Sequence, residues 1–122
     1  MTDGGMGTER VLCELARRGR EPALASRSGT VRIELVHGGK TRSWRVTVAR
    51  GEVAVARGAG KADTVIRAEV DVFDGIAEGR VNAMAALLRG LVTVEGDAGL
   101  ALSLERLLPG PPDRAILPGV HR

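Results

Sequence analysis

Between residues 31 and 56, apolar side chains return at every second position. Val31, Ile33 and Leu35 alternate with Arg32, Glu34 and Val36; Trp44, Val46 and Val48 alternate with Ser43, Arg45 and Thr47; Val53 and Val55 alternate with Ala54 and Ala56. A period of two sends successive side chains to opposite faces of an extended chain, so each segment reads as a strand with one buried face. The links are short, His37-Gly38-Gly39-Lys40 and Arg50-Gly51-Glu52. Neither can carry a parallel crossover, so the three strands are predicted to form an antiparallel meander. After Gly58-Ala59-Gly60, residues 63–70 read as a fourth strand, with Thr64, Ile66 and Ala68 on one side.

A sheet with one apolar face must bury it against another layer, and the flanking segments carry helical periodicity. Residues 8–19 read as a helix capped by Thr8, with Val11, Leu12, Leu15 and Ala16 on one face and Gly19 at its end. A helical turn follows around Pro22–Arg27, with Leu24 as its inward anchor. Asp71 is placed to cap a helix with Val72, Phe73, Ile76 and Ala77 on its apolar face, ended by Gly79. Asn82 caps another, with Met84, Leu87 and Leu88 on one face and Gly90 as its stop. Residues 91–95 read as a fifth strand. Asp97 opens the last helix, whose stripe is Leu100, Leu104, Leu107 and Leu108, with Pro109 ending it and Leu102 on the opposite face. The fold class predicted is α+β: a five-stranded, mainly antiparallel sheet covered by helices. Residues 1–7 are expected to be a flexible N-terminus, 8–108 one domain, and 109–122 a proline-rich tail.

Composition narrows the function. At 122 residues there is room for a single core, and no apolar run approaches the roughly 20 residues needed to span a bilayer. The polar, glycine-rich start does not read as a secretory signal. The single Cys13 cannot form an internal disulfide, so the cytoplasm is the expected compartment. Net charge is +3, yet the basic residues are interleaved with acids, and the aromatic residues are only Trp44 and Phe73. No nucleic-acid partner is expected from such a chain. Arg17, Arg18 and Arg20 read as a solvated helix end; a weak attraction to anionic lipid headgroups stays open.

No catalytic constellation can be assembled. His37 and His121 lie in a turn and a tail, without the spacing of a metal site. Cys13, between Leu12 and Leu15 on a helix, reads as a buried structural thiol. Gly58-Ala59-Gly60-Lys61 fails as a phosphate loop because Val55 stands at the required first glycine and Ala62 at the hydroxyl position. Gly5-Met6-Gly7 lacks the strand that a dinucleotide site needs before it. Asp63, Asp71, Asp74, Glu78, Glu95 and Asp97 sit at element ends, where capping accounts for them. Serines 26, 28, 43 and 103 have no nucleophile-elbow context. Neither metal nor cofactor is expected.

From Gly29 onward the order of motifs resembles the sterol carrier protein 2 family. The most specific stretch is Ala62-Asp63-Thr64-Val65-Ile66, then Val72-Phe73-Asp74-Gly75-Ile76 and Gly79-Arg80-Val81-Asn82. It continues from Ala83-Met84-Ala85-Ala86-Leu87-Leu88 through Gly96-Asp97 to Leu100-Ala101-Leu102-Ser103-Leu104. Resemblance covers roughly residues 9–108, and it implies an apolar tunnel between sheet and helices that takes sterols, fatty acyl chains or other lipids. The wall residues expected are Trp44, Val46 and Val48 from the sheet, with Phe73, Ile76, Met84, Leu87, Leu88, Leu91, Leu100, Leu104 and Leu107 from the second half. Each is individually more often plain core than ligand wall. The terminal Val120-His121-Arg122 does not match the family's peroxisomal tripeptide. The expected function is non-catalytic binding and transfer of a hydrophobic small molecule or lipid. Two alternatives stay open: an enzyme or biosynthetic accessory that encloses a hydrophobic intermediate, with Cys13, His37 or Arg45 facing inward, and a protein-interaction or homodimer module using Leu102 and the tail.

Overall fold

The computed structural model describes residues 6–105. Its elements are α1 (Met6–Arg18), β1 (Ser28–His37), β2 (Lys40–Ala49), β3 (Glu52–Arg57), β4 (Thr64–Glu69), α2 (Val70–Ala77), α3 (Ala83–Leu88), β5 (Val92–Gly96) and α4 (Ala98–Glu105), with a 3-10 turn at Pro22–Leu24 between α1 and β1. The α+β architecture and the five strands agree with the sequence reading.

The meander forms as expected. His37 pairs with Lys40 across the β1–β2 turn, and Ala49 with Glu52 across the β2–β3 turn. Both residues of the first loop, Gly38 and Gly39, have positive φ, 57° and 78°. That is the conformation a tight two-residue hairpin demands and glycine supplies without steric cost. The spatial strand order is β3-β2-β1-β4-β5. Three of the four pairings are antiparallel, but β4 lies parallel to β1, with Ile33 opposite Ile66. The sheet is therefore mixed.

A parallel pairing usually needs a long crossover; here the link from β3 to β4 is residues 58–63 only. It suffices because β3 is short. Arg57 at its end stands opposite Trp44, which stands opposite Ile33, and β4 begins opposite Val31, so the chain has little height to recover. The link must span three strand spacings, about 14 Å, and six extended residues reach about 20 Å. It runs beside the outward-facing Arg32 and Arg45. Arg32 donates to the Gly60 carbonyl, Gly60 lies against the Arg45 side chain, and the Asp63 N–H donates to the Thr30 carbonyl at 2.8 Å.

All helices pack on the opposite, apolar face. Leu12 and Leu15 of α1, Phe73 and Ile76 of α2, Ala86 of α3, and Leu100 and Leu104 of α4 share one core with Val31, Ile33, Leu35, Val46 and Val48. Leu24 is fully buried, as its reading as an anchor required, and its turn packs against α4. Buried Thr64 is satisfied by donating its hydroxyl to the Asp97 carbonyl at 2.9 Å.

Several local expectations are corrected. Helix α1 already includes Met6, so Thr8 lies within the helix instead of capping it. Glu69, not Asp71, precedes α2 and makes no side-chain cap; Asp71 is an acid in the first turn, where the helix dipole favours it. Asn82 does cap α3, accepting from the Ala85 N–H at 2.9 Å, and Asp97 accepts from the Leu100 N–H at 3.1 Å. Cys13 is exposed, not buried, because it falls on the solvent side of α1 between the inward Leu12 and Leu15. Leu107, Leu108 and the proposed tail lie outside the described residues.

Two predictions follow from this packing. Gly96 has φ +93°, and a Cβ there would collide with the Asp63 carbonyl oxygen. Gly96→Ala should cost roughly 2 kcal/mol, read as a lower urea midpoint. On the outer face, burial alone would raise the Glu34 pKa, but hydrogen bonds from Arg67 (2.8 Å) and Arg32 (2.9 Å) outweigh it and hold the carboxyl below its ordinary value near 4.5. A depressed pKa contributes stability that is present above the unfolded value and is lost as pH falls through the folded one. Glu34→Gln should therefore lower stability at pH 7 and flatten the pH dependence of unfolding below about 4.5; a titration parallel to wild type would refute it.

Candidate functional site: an apolar cavity between the helices and the sheet

Between the helical layer and the sheet lies a cavity of about 110 Å³. Every helix and four of the five strands contribute to its wall. Helix α1 supplies Thr8, Val11, Leu12 and Leu15; α2 supplies Phe73, Ile76 and Ala77; α3 supplies Ala83, Met84 and Leu87; α4 supplies Ala101, Leu102, Leu104 and Glu105. The floor is Ile33, Val46, Ile66, Val92 and Val94, one or two side chains from each contributing strand.

The lining is apolar except for Thr8 and Glu105. Thr8 does not offer a free polar group to the interior: its backbone N–H and its hydroxyl both donate to Asp74 Oδ1, at 3.0 and 2.9 Å. These bonds tie the start of α1 to α2. The void exists because the residues where helices meet sheet or one another include alanines, Ala77, Ala83 and Ala101, which leave space that a leucine would fill. A void with such a lining is not a favourable site for water, which needs two to four polar partners.

Among the expected wall residues, Val46, Phe73, Ile76, Met84, Leu87 and Leu104 are brought together around the cavity. Val48 and Leu100 are buried in the core away from it. Trp44 is partly buried against the core but outside the cavity wall, and the Arg57 guanidinium lies 4.7 Å from its ring centroid while Arg57 in turn pairs with Glu9 of α1. Leu88 and Leu91 point to solvent because α3 is only six residues long and buries just Ala86 completely. Sequence reasoning missed the whole contribution of α1, although Thr8, Val11, Leu12 and Leu15 have the i, i+3, i+4, i+7 spacing of one helical stripe. It also placed Leu102 on an outer face, whereas Leu102 borders the cavity.

The residues considered for chemistry do not reach this space. Cys13 is exposed on α1, His37 is exposed at the β1–β2 turn, and Arg45 is on the outer face of the sheet. No group of three or more His, Cys, Asp or Glu side chains among the described residues could hold a metal ion. No helix among them is long and apolar enough to cross a membrane.

Comparison with known proteins places this helix-covered sheet in a family. Residues 11–109 match the SCP-2 sterol transfer family. The chain belongs to that family. The structure superposes on palmitated SCP2L2 from Aedes aegypti with a TM-score of 0.69 at 17% identity, covering 87% of this chain and 94% of that one. It superposes equally well on the apo form of sterol carrier protein 2 from Yarrowia lipolytica, TM-score 0.69 at 22% identity, covering 88% and 92%. In sequence it is 29% identical over 85 residues to peroxisomal multifunctional enzyme A of Dictyostelium discoideum, which is 68% of this chain but only 19% of that protein. The chain thus spans about a fifth of that relative's length. Membership supports binding or transfer of lipids or sterols in general.

Because Asp74 holds the first turn of α1 against α2, Asp74→Ala should leave two Thr8 donors without this acceptor and cost about 1–3 kcal/mol. Amide exchange in α1 should speed up selectively; unchanged protection there would show that apolar packing alone positions the helix.

Proposed function

We propose that this chain binds the hydrocarbon portion of a lipid in the cavity and serves as a non-catalytic carrier or reservoir. The observation that carries this reading is the lining: side chains from all four helices and four strands converge on one void, and they are aliphatic or aromatic almost throughout. Each CH₂ group moved from water into such surroundings contributes about 0.8 kcal/mol, offset in part by the cost of association.

Size favours a single aliphatic chain. A dry apolar cavity of about 150 Å³ is large enough for benzene, and this one is about 110 Å³. A segment of a fatty acyl chain is small enough for such a volume, whereas a fused-ring sterol would require the helices to move apart. The walls that would touch the guest are Val46, Phe73, Ile76, Met84, Leu87 and Leu104, joined by Leu12, Leu15 and Ala101.

A second reading draws on the Dictyostelium relative, a multifunctional enzyme of much greater length. In that reading the domain presents a hydrophobic intermediate to a catalytic partner, and the same cavity holds it.

The test is uptake of a fluorescent fatty acid. Wild type should bind it saturably, and Ala101→Leu, which fills part of the void, should weaken binding by about tenfold with little change in the unfolding midpoint. Failure of wild type to retain any acyl chain in native mass spectrometry, or identical binding by the filled variant, would refute the cavity as the binding site.

A further inference from the structure

We infer that the turn leaving α3, Leu88-Arg89-Gly90-Leu91, is the surface by which the domain docks on a bilayer containing anionic lipids, so that its guest enters beside α3 without crossing water. The inference rests on the lipid-binding reading above and adds where the membrane sits. Two cavity-lining residues are also well exposed, Met84 at 40% and Leu102 at 41%, and they mark where the cavity meets solvent. Met84 lies one helical turn before Leu88, so the two share a face of α3. Leu88 is 79% exposed and Leu91 46%; the Leu91 N–H donates to the Ala86 carbonyl at 2.9 Å, holding the turn against the helix. An apolar strip therefore runs from the cavity edge outward to the tip of the turn.

Exposed leucines are unremarkable singly; a contiguous set beside an apolar cavity marks an interaction surface. Charge selects the partner. In a chain with 27% charged residues, positions 81–94 hold no acid and one cation, Arg89, set between the two exposed leucines. Its side chain makes no ion pair among the described residues. Apolar side chains at the tip with a basic residue between them suit the boundary between acyl chains and anionic headgroups, where arginine can keep its charged end in the polar layer. Glu105, the one acid of the cavity wall, belongs to α4 and not to this turn.

The full chain should co-sediment with phosphatidylcholine vesicles containing 30 mol% phosphatidylserine, roughly in the manner of other weak interfacial binders. The double substitution Leu88→Ser, Leu91→Ser should reduce that binding by about tenfold or more and slow delivery of a fluorescent fatty acid from vesicles. Uptake of the same fatty acid from vesicle-free solution should be unchanged. Arg89→Gln should retain weak binding but lose the preference for phosphatidylserine. Trp44 emission, remote from the turn, should stay at its wild-type value in all variants. A photo-reactive side chain at position 88 should label vesicle lipid. Labelling of a second copy, or of residues 106–122, would overturn the inference, as would vesicle binding that the double substitution leaves intact. Loss of fatty-acid uptake by wild type in solution would instead count against the cavity reading and leave the vesicle result to stand by itself.

Discussion

The structure depends on covering an apolar sheet face with helices that are short. Burial of that face is a principal driving force for a chain whose described residues hold one free cysteine and no cluster that could bind a metal ion, and it must be achieved by helices of 6–13 residues. Helices of that length are not stable alone and form because they pack. They meet the sheet and one another through alanines as well as leucines. Close packing is reached around Leu24, Val31, Val48 and Leu100, but not where α1, α2, α3 and α4 converge over Ile33, Val46 and Ile66. The same requirement that makes the fold stable leaves it hollow where those helices meet.

Much of this architecture is legible from the residues. Alternation at Val31-Ile33-Leu35 and Trp44-Val46-Val48, with Gly38-Gly39 at the first turn and Arg50-Gly51 at the second, specifies the meander because a half-buried strand admits no other period. The caps Asn82 and Asp97 are equally plain, since each has a backbone N–H to accept from three residues on. What escapes is non-local. Pairing of β4 alongside β1 depends on β3 stopping midway up the sheet, and nothing in the local pattern of 63–70 records its neighbour's length.

The cavity shows the same division. Six of the expected wall residues line it, because a residue that faces the sheet from α2 or α4 has few other places to go. Leu88 and Leu91 are apolar yet exposed, and Val48 and Leu100 are buried yet solidly packed, so hydrophobicity alone does not distinguish core, wall and surface. Trp44 shares the alternation of Val46 and Val48, yet its register opposite Arg57 sets its ring under a cation instead of in the cavity wall. The contribution of α1 is the most instructive omission. An amphipathic stripe announces that a helix is buried on one side; it does not announce that the opposing surface stands back from it.

The strap formed by residues 58–63 gives the two layers different mechanical characters. It crosses the outer side of the central strands and is fastened by Arg32 at Gly60 and by Thr30 at Asp63, reinforcing a ladder that is already continuous across five strands. The helical side has looser fastenings, such as the carboxylate of Asp74 holding the first turn of α1. Were a guest bulkier than the void to enter, the helices and not the strapped strands would have to give way, and the bonds from Thr8 to Asp74 would be among the first at stake.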